Sequence, residues 1–189
     1  MEELYKYLNL ITPISDSTWD LIKNIVVKKE LNKLDLFCKV DQIATKIAFL
    51  QSGVVRSYFT NKAGREFNKN FFVAPAFIGA YSSLITQLPN KLAQQALTNC
   101  VIWETDYYII KQLYNSCHDL ERLGRITAEH YFVEKEIRAV NLLTLEANEY
   151  YKIFQLQYPT LEKQIAQYHI ASLLGITPAQ LSRIRAEKN

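Results

Sequence analysis

The chain has 189 residues, 49% hydrophobic and 22% charged, with a formal net charge of +3. That length suits one ordinary domain or a medium domain with a small companion, and the composition excludes disordered and collagen-like classes. No run approaches the roughly 20 apolar residues of a membrane helix, and the opening MEELYKYLNL has early acids and no apolar core, so a soluble, cytoplasmic protein without a secretory leader is expected.

In chain order, EELYKYLNL places Leu4, Tyr5 and Leu8 at helical spacing and predicts a short amphipathic helix. Pro13 interrupts it. Ser15 or Ser17 can cap a second helix, whose stripe is Trp19, Ile22, Ile25 and Val26. From about Leu34 the texture changes. LDLFCKV, KIAFLQ, VVRSYFT, REFNKNFFV and LTNCVIWE are short and rich in Val, Ile, Phe and Tyr, and are separated by QSG, NKAG and APAF. Many short strands predict a sandwich, barrel or jelly roll. TNKAG reads as a hairpin turn in which Gly64 supplies the positive φ. Cys38, Cys100 and Cys117 are scattered, odd in number and without metal spacing, so buried free thiols are expected and no metal.

From about Tyr107 to Leu156 there is no proline, and Gly124 is the one glycine. Leu123, Ile126, His130, Val133, Ile137, Val140 and Thr144 step by three and four, a heptad-like seam. A helix of roughly 25 residues is too long to bury in so small a domain, so the seam predicts a dimerisation helix pairing with its twin. His130 reads as a register-setting polar group rather than a ligand.

The end of the chain is tightly punctuated. Ile170, Leu173 and Leu174 share one helical face, Ala171 lets a neighbouring helix approach, and Gly175 suits a left-handed C-cap. Thr177 is a good N-cap, Pro178 falls at the first helical position, and Gln180 can complete a capping box. Together they predict helix, tight turn, helix. On a wheel Leu181 and Ile184 face inward. Arg183 lies nearly opposite, beside Ala179 and Ala186 and flanked by Gln180 and Ser182. That ridge of small residues with one central arginine can enter a DNA major groove, where arginine pairs guanine. Arg185, Lys188 and the N–H groups behind Thr177 are expected on phosphates. The excess charge agrees: within residues 150–189, Lys152, Lys163, Arg183, Arg185 and Lys188 face only Glu162 and Glu187, which hints at a polyanionic partner.

The chain resembles the Crp/Fnr family of bacterial transcription regulators, in the branch with a very short C-terminal end. LYKYLNLITPISDSTWDLIKN is similar to the family's helical lead-in. SGVVRSYF and FIG are similar to words of its cyclic-nucleotide-binding β-roll, and IASLLGITPAQLSRIR to its helix-turn-helix. The resemblance implies an α+β fold with a jelly-roll sensor over 1–117, a long dimer helix over 118–145 and a helix-turn-helix unit over 146–189 with no room for a full wing. It also implies double-stranded DNA, a second copy of the chain and RNA polymerase as partners. In nucleotide-binding members FIG continues into Gly-Glu, and an Arg-Ser/Thr-Ala follows later. Here Ala80 follows Phe77, Ile78 and Gly79, and Gln94, Gln95 and Ala96 stand at the later position. Both charged anchors of ribose and cyclic phosphate are missing, so weak or no cAMP or cGMP binding is expected, with a vestigial pocket or a different, neutral ligand.

No nucleophile–base pair, metal-ligand spacing or phosphate-cradling glycine loop points to an enzyme. The alternative to a DNA-binding regulator is a ligand-binding sensor module whose C-terminal unit makes protein contacts.

Overall fold

Two short helices lead into the β-structure of the protein, whose computed structural model describes residues 1–187. Helix α1 (Glu2–Ile11) buries Leu4 and Leu8. Helix α2 (Asp16–Ile25) is capped by Ser15, which accepts from the Thr18 N–H, and buries Ile22. Eight strands follow: β1 (Val27–Leu31), β2 (Leu36–Cys38), β3 (Lys46–Ser52), β4 (Val54–Thr60), β5 (Glu66–Val73), β6 (Ala76–Ile78), β7 (Ala93–Ala96) and β8 (Cys100–Asp106). Helix α3 (Tyr81–Thr86) lies between β6 and β7, and α4 (Tyr107–Leu113) follows β8.

The strands form two four-stranded antiparallel sheets, ordered β1-β8-β3-β6 and β2-β7-β4-β5. This is the expected α+β jelly roll with flanking helices. Alternation builds its core. Ala48 and Leu50 of β3, Ile78, Cys100 and Ile102 from the first sheet meet Val55 of β4 and Ala96 of β7 from the second. The opposite face of the first sheet carries Phe49, which packs with Leu4, Leu8, Ile14 and Ile22 beneath the helices. Gly64 turns the β4–β5 connection at φ +75°. All three cysteines are free and buried.

Helix α5 (His118–Thr144) is 27 residues, about 40 Å at 1.5 Å per residue. Its start is pinned to α2. Ser15 donates its N–H and hydroxyl to Asp119, both at 2.8 Å, and Thr18 donates its hydroxyl at 2.7 Å. Burial alone would raise the Asp119 pKa, but these donors hold it down at about 2. Gly124 leaves space for the Tyr114 hydroxyl against the helix. Leu123, expected in the dimer seam, is buried inside its own chain with Leu120 and α1, because α1 already covers that turn of the helix. Further along, His130, Val133, Ile137 and Val140 are exposed and Ile126 is half-buried.

After α5 come α6 (Ala147–Gln157), a 3-10 turn (Leu161–Lys163), α7 (Gln167–Leu174) and α8 (Pro178–Ala186). These elements do not stand apart from the roll. Tyr150, Tyr151, Phe154, Leu161, Ile170 and Leu181 share one apolar cluster with Val54, Phe71 and Leu97 of the second sheet's outer side.

Candidate nucleic-acid interface and effector pocket

The C-terminal pair folds as its punctuation dictates. Gly175 ends α7 in the left-handed region at φ 74°. The Thr177 hydroxyl accepts from the Gln180 N–H at 3.2 Å, and Gln180 Oε1 accepts from the Thr177 N–H at 2.9 Å, a complete capping box. Ile170, Ala171, Leu173 and Leu174 bury α7, and Leu181 at 0% exposure anchors α8 against it. Ile176 fills the corner between the two helices. The outward strip of α8 is open: Thr177, Ala179, Gln180, Ser182, Arg183 and Ala186 are all exposed.

Arg185 behaves differently from expectation. It is half-buried, its Nη1 is enclosed without a hydrogen-bond partner, and its charge bears on Tyr151. The guanidinium lies toward the unit's own core rather than out toward a phosphate, as a residue at the edge of the buried face allows. Lys188, the other expected phosphate contact, lies outside the described residues.

Helix α7 is held to the roll by a polar cluster that sequence reasoning missed. Arg56 of β4 is 5% exposed and points outward from the second sheet. It donates to Gln95 Oε1 at 3.0 and 2.6 Å, pairs with Glu66 at 2.6 Å, and lies over the Tyr58 ring at 3.8 Å. Its Nη1 also reaches His169 Nδ1 at 3.4 Å. Asn68 Nδ2 meets the same Nδ1 at 3.3 Å and donates to the His169 carbonyl at 2.9 Å. Two donors aimed at Nδ1 require it to be the unprotonated acceptor. Burial first, and Arg56 second, push the His169 pKa down to about 4. The Ser172 hydroxyl accepts from the Asn68 N–H at 2.9 Å. From α5, Arg138 donates to the Leu173 carbonyl at 3.2 Å.

On the other side of β4 and β7 lies part of a cavity of about 1180 Å³ that runs beneath α5 toward α6 and also takes in Leu4, Leu8, Ile22, Phe49 and Trp103 on the helix-covered face of the first sheet. Of the expected pocket residues, Phe77, Ile78, Gly79, Ala80 and Gln94 line it. Two do not. Gln95 faces the opposite way and holds Arg56, because successive strand residues alternate faces, and Ala96 is packed in the roll's core.

No family model and no curated protein matches the sequence. Solved structures do resemble the fold. FixK2 from Bradyrhizobium japonicum superposes with TM-score 0.75 at 18% identity, over 86% of this chain and 84% of that one. The c-di-GMP-responsive global regulator CLP of Xanthomonas campestris gives 0.71 at 15%, over 92% and 91%. A transcriptional regulator of the Crp/Fnr family from Eubacterium rectale gives 0.71 at 14%, over 92% and 83%. The fold is that of the Crp/Fnr regulators. Those neighbours share this architecture over 86–92% of the chain. Among the described residues no helix is long and apolar enough to cross a membrane.

Proposed function

We propose that the chain is a sequence-specific DNA-binding transcription regulator of Crp/Fnr type, working in the cytoplasm as a homodimer. The observation that carries this reading is Arg183, exposed at the centre of a strip of small side chains on the second helix of a capped helix-turn-helix. A groove-entering helix needs such a strip so that its backbone can come close to the base edges. Self-association through α5 is supported by the row of Val133, Ile137 and Val140, each 53–55% exposed and spaced to form one face. Two helix-turn-helix units carried by such a pair would address two half-sites. RNA polymerase contact is a further part of this reading.

The roll serves in this reading as a sensor whose cyclic-nucleotide anchors are lost. By the resemblance Gln94 stands where the arginine of Arg-Ser/Thr-Ala is expected; it lines the cavity, while Arg56 is turned outward to Glu66. A cyclic phosphate there would have no cation at the inner end of the cavity, which favours weak or no cAMP binding.

The test is DNA binding by the purified full chain, using a site selected from random duplexes, measured at two salt concentrations. A steep salt slope is expected. Arg183→Ala should cost about 1–3 kcal/mol in binding and relax sequence preference at one position. Unchanged affinity for the selected site would show that α8 is not the reading helix.

A further inference from the structure

Gln94 is 3% exposed and lines the cavity. Its Nε2 donates to the Gly79 carbonyl at 3.0 Å, which fixes the amide, while Oε1 is enclosed without a partner. A buried, unpaired amide oxygen is costly and calls for a donor. On one side of the ladder Cys38 pairs with Gln94 between β2 and β7. Burial holds its thiol neutral, pushed up to about 11. Ser57 lies opposite Gln94 on β4 and lines the same wall.

Around this polar point the cavity is apolar. Ala48, Phe72, Ile78 and Leu84 form its walls near Gln94's end. The charged side chains that border it, Lys69, Lys91, Glu134, Lys135 and Arg138, are exposed or half-buried, four of the five cationic. Arg138 is already engaged with the Leu173 carbonyl. The rim is thus hydrated, while the largely apolar lining carries a few neutral polar atoms without partners: Gln94 Oε1, which can only accept, and the Thr105 and Thr127 hydroxyls, which can also donate. Gln94's end is one part of a cavity of about 1180 Å³ in all, which has room for a small organic molecule.

We propose that the cavity binds an uncharged, largely apolar small molecule that donates an N–H or O–H hydrogen bond to Gln94 Oε1. An anion would place its charge against that carbonyl-type oxygen with no buried cation to compensate. A purely apolar molecule would leave Oε1 unpaired. A neutral donor with an apolar body fits both the wall and the amide. This rests on the reading of the roll as a sensor and is independent of whether α8 binds DNA.

The experiment uses the full chain without DNA and three probes of one shape: 4-phenylphenol, its methyl ether 4-methoxybiphenyl, and biphenyl-4-carboxylate, with cAMP as a fourth. Binding is read by calorimetry and by the shift in melting temperature. The phenol is expected to bind at least about tenfold more tightly than the ether, to raise the melting temperature by several degrees, and to exceed both anions. In Gln94→Leu the phenol should lose its advantage while the ether still binds. Gln94→Met is the alternative should leucine unfold the chain, as its own melt would reveal. Tighter binding of the carboxylate or of cAMP, no stabilisation by any neutral probe, or a phenol preference that survives both substitutions would overturn the proposal. Loss of DNA binding alone would leave these readouts unchanged, so the two failures are separable.

Discussion

Helices α7 and α8 are adjacent, similar in length and joined by one tight turn, yet they are buried very differently. In α7, His169, Ile170, Ala171, Leu173 and Leu174 are buried, and the helix is packed on one side against the roll. In α8 only Leu181 is buried. The difference separates two tasks. The first helix commits five of its eight residues to the protein's own interior. The second is anchored by Leu181, with Ile184 and Arg185 half-buried beside it, and keeps only its outward strip open.

That contrast can be broken from the buried side first. Ile170→Ala should destabilise the fold by about 2–5 kcal/mol, read by urea denaturation, because Ile170 is 0% exposed in the shared cluster. Acid should act next, through His169. It is neutral in the fold with a pKa near 4, against about 6.5 when unfolded. Its contribution is therefore complete above about pH 6.5 and is lost as pH falls toward about 4. The loss amounts to about 2–3 kcal/mol in urea midpoints compared at pH near 7 and near 4.5, and His169→Gln should flatten it. Smaller still is the cap. Thr177→Ala should cost about 1 kcal/mol, since it removes the acceptor for the Gln180 N–H. Arg183→Ala sharpens the contrast from the open side. It should leave stability within about 0.5 kcal/mol while weakening DNA binding as described. A large stability loss there would make α8 a second structural helix.

Where residues punctuate the backbone, the sequence was readable. Gly175, Thr177, Pro178 and Gln180 state the turn and both helix ends within a few positions, and the structure has each in that role. Ser15 and Gly64 were readable for the same reason. Strand β1 was not, because VKKEL is an edge strand with mostly exposed, charged side chains, and Val26 just before it continues the helical stripe of α2. Strand β7 is AQQA, without branched or aromatic residues; it is a strand because β2 and β4 pair with it on either side. Leu123 fits the seam's period, but a period does not say which neighbour reaches a turn first, and here α1 does. The Arg56 cluster joins residues 113 positions apart and leaves no local pattern. The direction of Arg185 was equally hidden, since a wheel places a side chain at an edge without saying which way it bends.

The same two strands carry both the chamber and the clasp on α7. Ser57 and Gln94 look inward, and their immediate chain neighbours Arg56 and Gln95 look outward to hold the helical unit. The partition between the two is a single layer of backbone. Gln94 and Gln95 are joined by one peptide bond, so a backbone shift of β7 at this point would reach the cavity wall and the Arg56–His169 contact together.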